Sequence, residues 1–242
     1  MRFGMNLLLW TGEMHDGMLP VLEMLKRLGF DGIELPIFNT ALNYAEWGRR
    51  LDSLGLARTA VTIRGADDNP ISPDAAVRAR GVENSKKVLD CCAAVGATTL
   101  VGPYHSALGV FSGQGPTADE WKWGVDSMRQ VAEHAAKVNV TLGVECLNRF
   151  ETYLLNTHAD AAKFCREVAH PNCRMMMTRF IPTSKKRASR SRFTVVRTCC
   201  ATSTLVKTTA AHQAKETFDG KKTSTHSDPS ATMDGWSSKP SD

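Results

Sequence analysis

Apolar and polar positions along the first 177 residues change period repeatedly. Short apolar runs of strand length alternate with longer segments whose apolar residues recur three and four apart. Residues 2–9 (RFGMNLLL) predict a first strand. Met18–Leu28 has apolar residues at 18, 21, 22, 25 and 28, a helical stripe that Asp16 can cap and in which Pro20 is tolerated in the first turn. Residues 30–36 (FDGIELP) predict a second strand ending on Glu34, residues 44–54 a second helix, and residues 56–63 a third strand. A long helix opens at Pro73 or Asp74 and runs to Val95, followed by a strand over 98–102. Thr117–Val138 predicts a fourth helix, with Thr117 and Glu120 spaced as a capping box. Strands over 140–144 and 173–177 flank a fifth helix over 157–168. Gly29, Gly55, Gly96 and Asn139 stand where helices must stop, each before an apolar run. Such alternation predicts a parallel sheet with helices outside it. Six strands are visible, two short of a closed eight-stranded barrel.

The stretch that concentrates chemistry is Val140–Thr157, VTLGVECLNRFETYLLNT. Its apolar run reads as a strand buried on both faces and ends on Glu145, with Asn148, Arg149 and Glu151 beyond. A carboxylate at the C-terminal end of a parallel strand is where barrels and open α/β sheets place their chemistry. His105 and Trp121 are further candidates to touch substrate: His105 lies in the Gly- and Pro-rich loop GPYHSALGVFSGQGP, and Trp121 opens the next helix. A solvated loop histidine and a packed helix tryptophan are the plainer readings. No GxGxxG or GxxxxGK[ST] follows any strand, so nucleotide cradling is unsupported.

Composition divides the chain. Residues 1–177 carry 18 Lys/Arg against 20 Asp/Glu, whereas residues 178–242 carry 12 against 5. Ser and Thr number 16 in the first part and 22 in the much shorter second. Two domains are therefore expected, 1–177 and 178–242, and the chain's net charge of +5 arises from −2 in the first and +7 in the second. Seven scattered cysteines without a CxxC pair fit reduced thiols and a cytoplasmic location. The N-terminus reads as neither signal peptide nor membrane span.

The motifs GMNLLLW (4–10), LGFDGIELP (28–36), LVGP (100–103) and GVECLNRFETYLLNT (143–157) resemble the sugar isomerase/epimerase branch of the xylose-isomerase-like TIM barrels, and within it the ketose 3-epimerases of the tagatose/psicose type. The resemblance implies a (β/α)8 TIM barrel, here incomplete, and an enzyme acting on a small sugar or sugar phosphate. It implies a divalent metal (Mn, Mg or Co) held by two Glu, an Asp and a His. The metal stabilises an enediolate while two carboxylates exchange the proton at carbon. By the same resemblance Glu145 is metal ligand and acid/base, Glu151 binds substrate oxygens, and pairing of copies is possible. Hydroxypyruvate isomerase-like aldose–ketose chemistry and an endonuclease-type phosphodiesterase on the same barrel are the alternatives. The head's balanced charge disfavours nucleic acid there, while the basic tail raises a nucleic-acid-binding module as a further alternative.

The tail departs from the family. Thr178 stands where the resemblance implies the metal-binding Asp, and an irregular basic segment follows. Such a departure is expected if one G was lost after the codon for Met177. Thr178–Thr183 can be encoded ACA CGT TTC ATA CCA ACA, and a leading G turns it into DTFHTN. Cys200–Ala214 shifts to LRHVHISENDRGTPG, and Thr232–Asp242 to YDGWLVIEAFG. In the last, the Gly after YD is forced because Met has one codon. These are the family's remaining ligand motifs, in order. On this reading the chain as printed keeps one of four ligands and is expected to be inactive, with its first and sixth strands left unpaired at their edges.

Overall fold

The computed structural model describes residues 2–177 and the backbone of residues 205–207. Two compact units divide the chain, residues 1–208 and residues 209–242, and the second lies outside the described residues. In the first, strands β1 (Arg2–Asn6), β2 (Gly32–Pro36), β3 (Ala57–Val61), β4 (Thr99–Gly102), β5 (Thr141–Glu145) and β6 (Cys173–Met176) alternate with helices α1 (Leu19–Arg27), α2 (Tyr44–Ser53), α3 (Ala75–Val95), α4 (Ala118–Lys137) and α5 (His158–Val168). These six strands pair in parallel and in chain order.

Local chemistry explains most boundaries. Asp74 accepts the Ala76 N–H at 2.8 Å and opens α3. At α4 the Thr117 hydroxyl accepts the Glu120 N–H at 3.2 Å while Glu120 accepts the Thr117 N–H at 2.8 Å. Left-handed residues close the helices: Gly29, Gly55, Gly96 and Asn139 all have positive φ, as expected. Ala169, at φ 56°, ends α5 in the same conformation, which no sequence signal announces.

Three expectations change. The first strand stops at Asn6 rather than Leu9, because the Asn6 side chain takes the Leu8 N–H at 2.8 Å and turns Leu7–Leu9 into a 3₁₀ segment. Asp16 does not cap α1, which begins at Leu19. Its carboxylate instead takes a hydrogen bond from Arg50 at 2.6 Å. Finally, the expectation that β1 is left unpaired at its edge is overturned by the three-residue β7 (Leu205–Lys207), which runs parallel beside β1 with Arg2 opposite Leu205. The order is β6-β5-β4-β3-β2-β1-β7, and among the described residues β6 pairs only with β5.

Residues opposite one another in a parallel ladder share a face, and successive residues alternate. The registers Asn6–Glu34, Pro36–Val61, Val61–Val101, Val101–Gly143 and Glu145–Met176 put these residues on one face. The opposite face carries Met5, Ile33, Leu35, Ala60, Leu100, Leu142, Val144 and Met175, all buried. Apart from Arg58, which stands opposite Ile33, that face is apolar, as amphipathic helices require. The polar positions Asn6, Glu34 and Glu145 therefore belong to the interior of the curved sheet. Gly102 shows how tightly the strand ends are set: its φ is +129° and a Cβ there would lie 2.2 Å from the Thr62 carbonyl oxygen.

Candidate active site at the C-terminal ends of the strands

Two buried carboxylates lie on the interior face. Glu145 closes β5 at 4% exposure; Glu34, at 2%, sits in the middle of β2, which runs on to Pro36 instead of ending on Glu34 as expected. Glu34 accepts a hydrogen bond from Asn6 Nδ2 at 2.7 Å, so adjacent strands are joined across the interior. Asn6 is the site neighbour that sequence reading misses. No sequence signal marks it, because Leu7–Leu9 continue the apolar run beyond it.

His105 is fully buried rather than solvated. Its Nε2 lies 3.0 Å from the Glu145 backbone oxygen, which can only accept, so Nε2 carries the proton. Nδ1 then accepts from the Ser106 hydroxyl at 3.1 Å. Burial lowers its pKa to about 4, against the opposing effect of the bond to Glu145, which keeps the ring neutral at pH 7. Both nitrogens are committed within the protein. The expected substrate contact gives way to a strut between the loop after β4 and the end of β5.

The loop after β5 is held by its own polar groups. Asn156 Nδ2 donates to the carbonyls of Leu147 at 3.0 Å and Thr152 at 2.9 Å, and the Phe150 N–H bonds to Asn148 Oδ1 at 2.9 Å. Glu151 is exposed and its carboxylate accepts from Asn148 Nδ2. Its backbone oxygen accepts the Gly109 N–H at 2.8 Å, stitching this loop to the one carrying His105. Tyr153 anchors the same loop to α4 by donating to Glu120 at 2.6 Å, and burial followed by this bond pushes its phenol up to about 12.

Trp121 is not part of this group. Its Nε1 donates to Glu167 at 2.6 Å, Phe164 meets it edge-on at 5.5 Å, and Lys163 lies over its ring, so α5 occupies it. Trp123 stacks beneath Arg78 of α3. The structure thus brings Glu145, His105 and the Glu151 loop together and assigns Trp121 to helix packing.

A divalent metal is the group whose fit must be tested. Among the described residues no set of three or more His, Cys, Asp or Glu is placed to hold one. Glu34 and Glu145 are the buried carboxylates of the strands' interior face, and His105 has no nitrogen to spare. Hard divalent ions take several oxygen ligands, so the described residues do not fit a metal. No helix among them is long and apolar enough to cross a membrane.

Comparison with known proteins agrees with the architecture. The family profile described as xylose isomerase-like TIM barrel matches residues 22–178. D-psicose 3-epimerase of Agrobacterium fabrum is 29% identical over 185 residues, covering 74% of this chain and 64% of that protein. L-ribulose 3-epimerase of Mesorhizobium japonicum is 31% identical over 174 residues, covering 71% and 58%. The crystal structure of D-allulose 3-epimerase from Methylomonas sp. in complex with D-allulose superposes with a TM-score of 0.68 at 26% identity, covering 72% and 61%. The chain thus spans about three-fifths of the length of these relatives. It belongs to the xylose isomerase-like TIM barrel family.

Proposed function

We propose that this chain is the N-terminal part of a ketose 3-epimerase whose C-terminal third is read one base out of frame from Thr178. The observation that carries this is the coincidence of three boundaries at one place. The family match ends at residue 178, the charge and Ser/Thr content change after Met177, and the recoverable motifs begin there. The names of the relatives, psicose and ribulose 3-epimerases, support the activity and a small ketose as substrate.

In the frame-restored protein Glu145 is the residue that exchanges the proton at carbon. It is buried, ends a strand on the interior face, and is held by a backbone that His105 fixes. Burial among fixed dipoles suits a carboxylate that must act as base and then acid. Glu151, on a loop closed by Asn148 and Asn156, binds substrate oxygens once its bond to Asn148 is exchanged. The divalent metal (Mn, Mg or Co) also belongs to the restored protein, whose recovered Asp and His would complete the ligand set. The chain as printed lacks that set among its described residues, and we assign it no step through a metal. It should therefore lack epimerase activity. A cytoplasmic location and pairing of copies remain part of the same reading.

The test is nucleotide sequencing across codon 177. The reading predicts that a single inserted G opens a frame spelling DTFHTN, HVHISE and YDGWLVIEAF. A nucleotide sequence that does not spell them refutes the frame loss, while leaving the family assignment of residues 22–178 untouched.

A further inference from the structure

Cys165, in the last two turns of α5, and Cys173, the first residue of β6, come together across the short turn between them. The left-handed Ala169 and the bond from the Cys173 N–H to the His170 carbonyl at 3.0 Å fold that turn back on itself. Both cysteines are 5% exposed and both are free thiols. They line one cavity of about 230 Å³, together with Arg166, His170 and Arg174. The neighbouring Cys165 side chain, ahead of burial, pushes the Cys173 thiol well above the usual thiol range, so Cys173 keeps its proton. The other described cysteines have no such arrangement: Cys91 and Cys92 are consecutive on α3, with Cys91 directed at the Thr40 carbonyl.

We infer that Cys165 and Cys173 form an oxidisable dithiol, a modification site that a small hydroperoxide converts into a disulfide tying α5 to β6. The cavity, lined by Arg166 and Arg174, admits the oxidant to the two sulfurs. The Cys165 thiolate attacks the peroxide, the O–O bond breaks, and the leaving alkoxide takes a proton to become an alcohol. Cys165 is then a sulfenic acid. The Cys173 sulfur attacks it, forming the S–S bond, and the expelled hydroxide takes the Cys173 proton as water. Two thiols and one hydroperoxide give one disulfide, one alcohol and one water. The inference does not depend on the epimerase reading.

The test uses the full chain, treated under native conditions with tert-butyl hydroperoxide, alkylated and digested with trypsin without reduction. Cleavage after Lys163, Arg166 and Arg174 should release residues 164–166 joined to residues 167–174 through a disulfide. The linked species should be absent from Cys165→Ser, and oxidation in denaturant should yield it only alongside other cysteine pairings, whereas the native chain yields this pairing alone. Recovery of both cysteines as separately alkylated peptides from oxidised native protein overturns the proposal. So does linkage of either one mainly to another cysteine.

Discussion

His105 shows what a single residue's environment decides. From sequence it is a histidine in a Gly-rich loop, where solvation or substrate contact are the natural readings. The fold buries it completely against the Glu145 carbonyl, and nothing local in the sequence signals that, because the burial comes from a contact 40 residues away. The sign of its pH effect follows. The folded pKa of about 4 lies below the ordinary 6.5, so between these values the unfolded chain binds the proton and the folded one does not. The contribution to stability is complete above about pH 6.5 and is lost as pH falls toward 4, roughly 3 kcal/mol in all. Chemical denaturation across pH 4–7 should show this loss, and His105→Gln, which keeps an N–H for Glu145 but does not titrate, should lack that part of the slope. Gly102 makes a second residue-scale prediction. Gly102→Ala faces both an unfavourable φ and a carbonyl at 2.2 Å. It should cost about 3 kcal/mol or more, read as a lowered denaturation midpoint; an unchanged midpoint would mean β4 relaxes freely.

Elements were the most legible level. Helical stripes, the Thr117/Glu120 box and the αL stops all rest on interactions within a few residues, so the local sequence specifies them. Thr117→Ala removes a cap hydrogen bond and should cost about 1 kcal/mol, lowering Tm by about 2–4 °C; a larger fall would show that the Tyr153–Glu120 anchor depends on the same residue. Where local reading failed, a longer-range or competing bond had taken the group. Asn6 turned back on Leu8 and shortened β1, and Asp16 went to Arg50 instead of capping α1. Trp121 belongs to the contact between α4 and α5, a tertiary choice that periodicity places on a helix but cannot aim.

At the scale of the whole molecule, six consecutive parallel strands hold the buried carboxylates Glu34 and Glu145 on one interior face. Half of the candidate site was legible, since Glu145 was announced by a polar residue ending an apolar run. The remainder was not, because metal ligation needs residues from several strand ends and the described ones do not supply a set. On the reading proposed above, restoring the frame would supply the missing part, and Glu145→Gln in the restored protein should then lower kcat by about 10²–10⁴-fold with the fold retained. The most direct measurement is ketose C3 epimerisation by two purified proteins, the chain as printed and the chain with one G restored after codon 177. Turnover by the restored protein alone, dependent on added divalent metal, is the predicted result. Metal-dependent turnover by the printed chain, or none by a folded restored protein, would contradict the account.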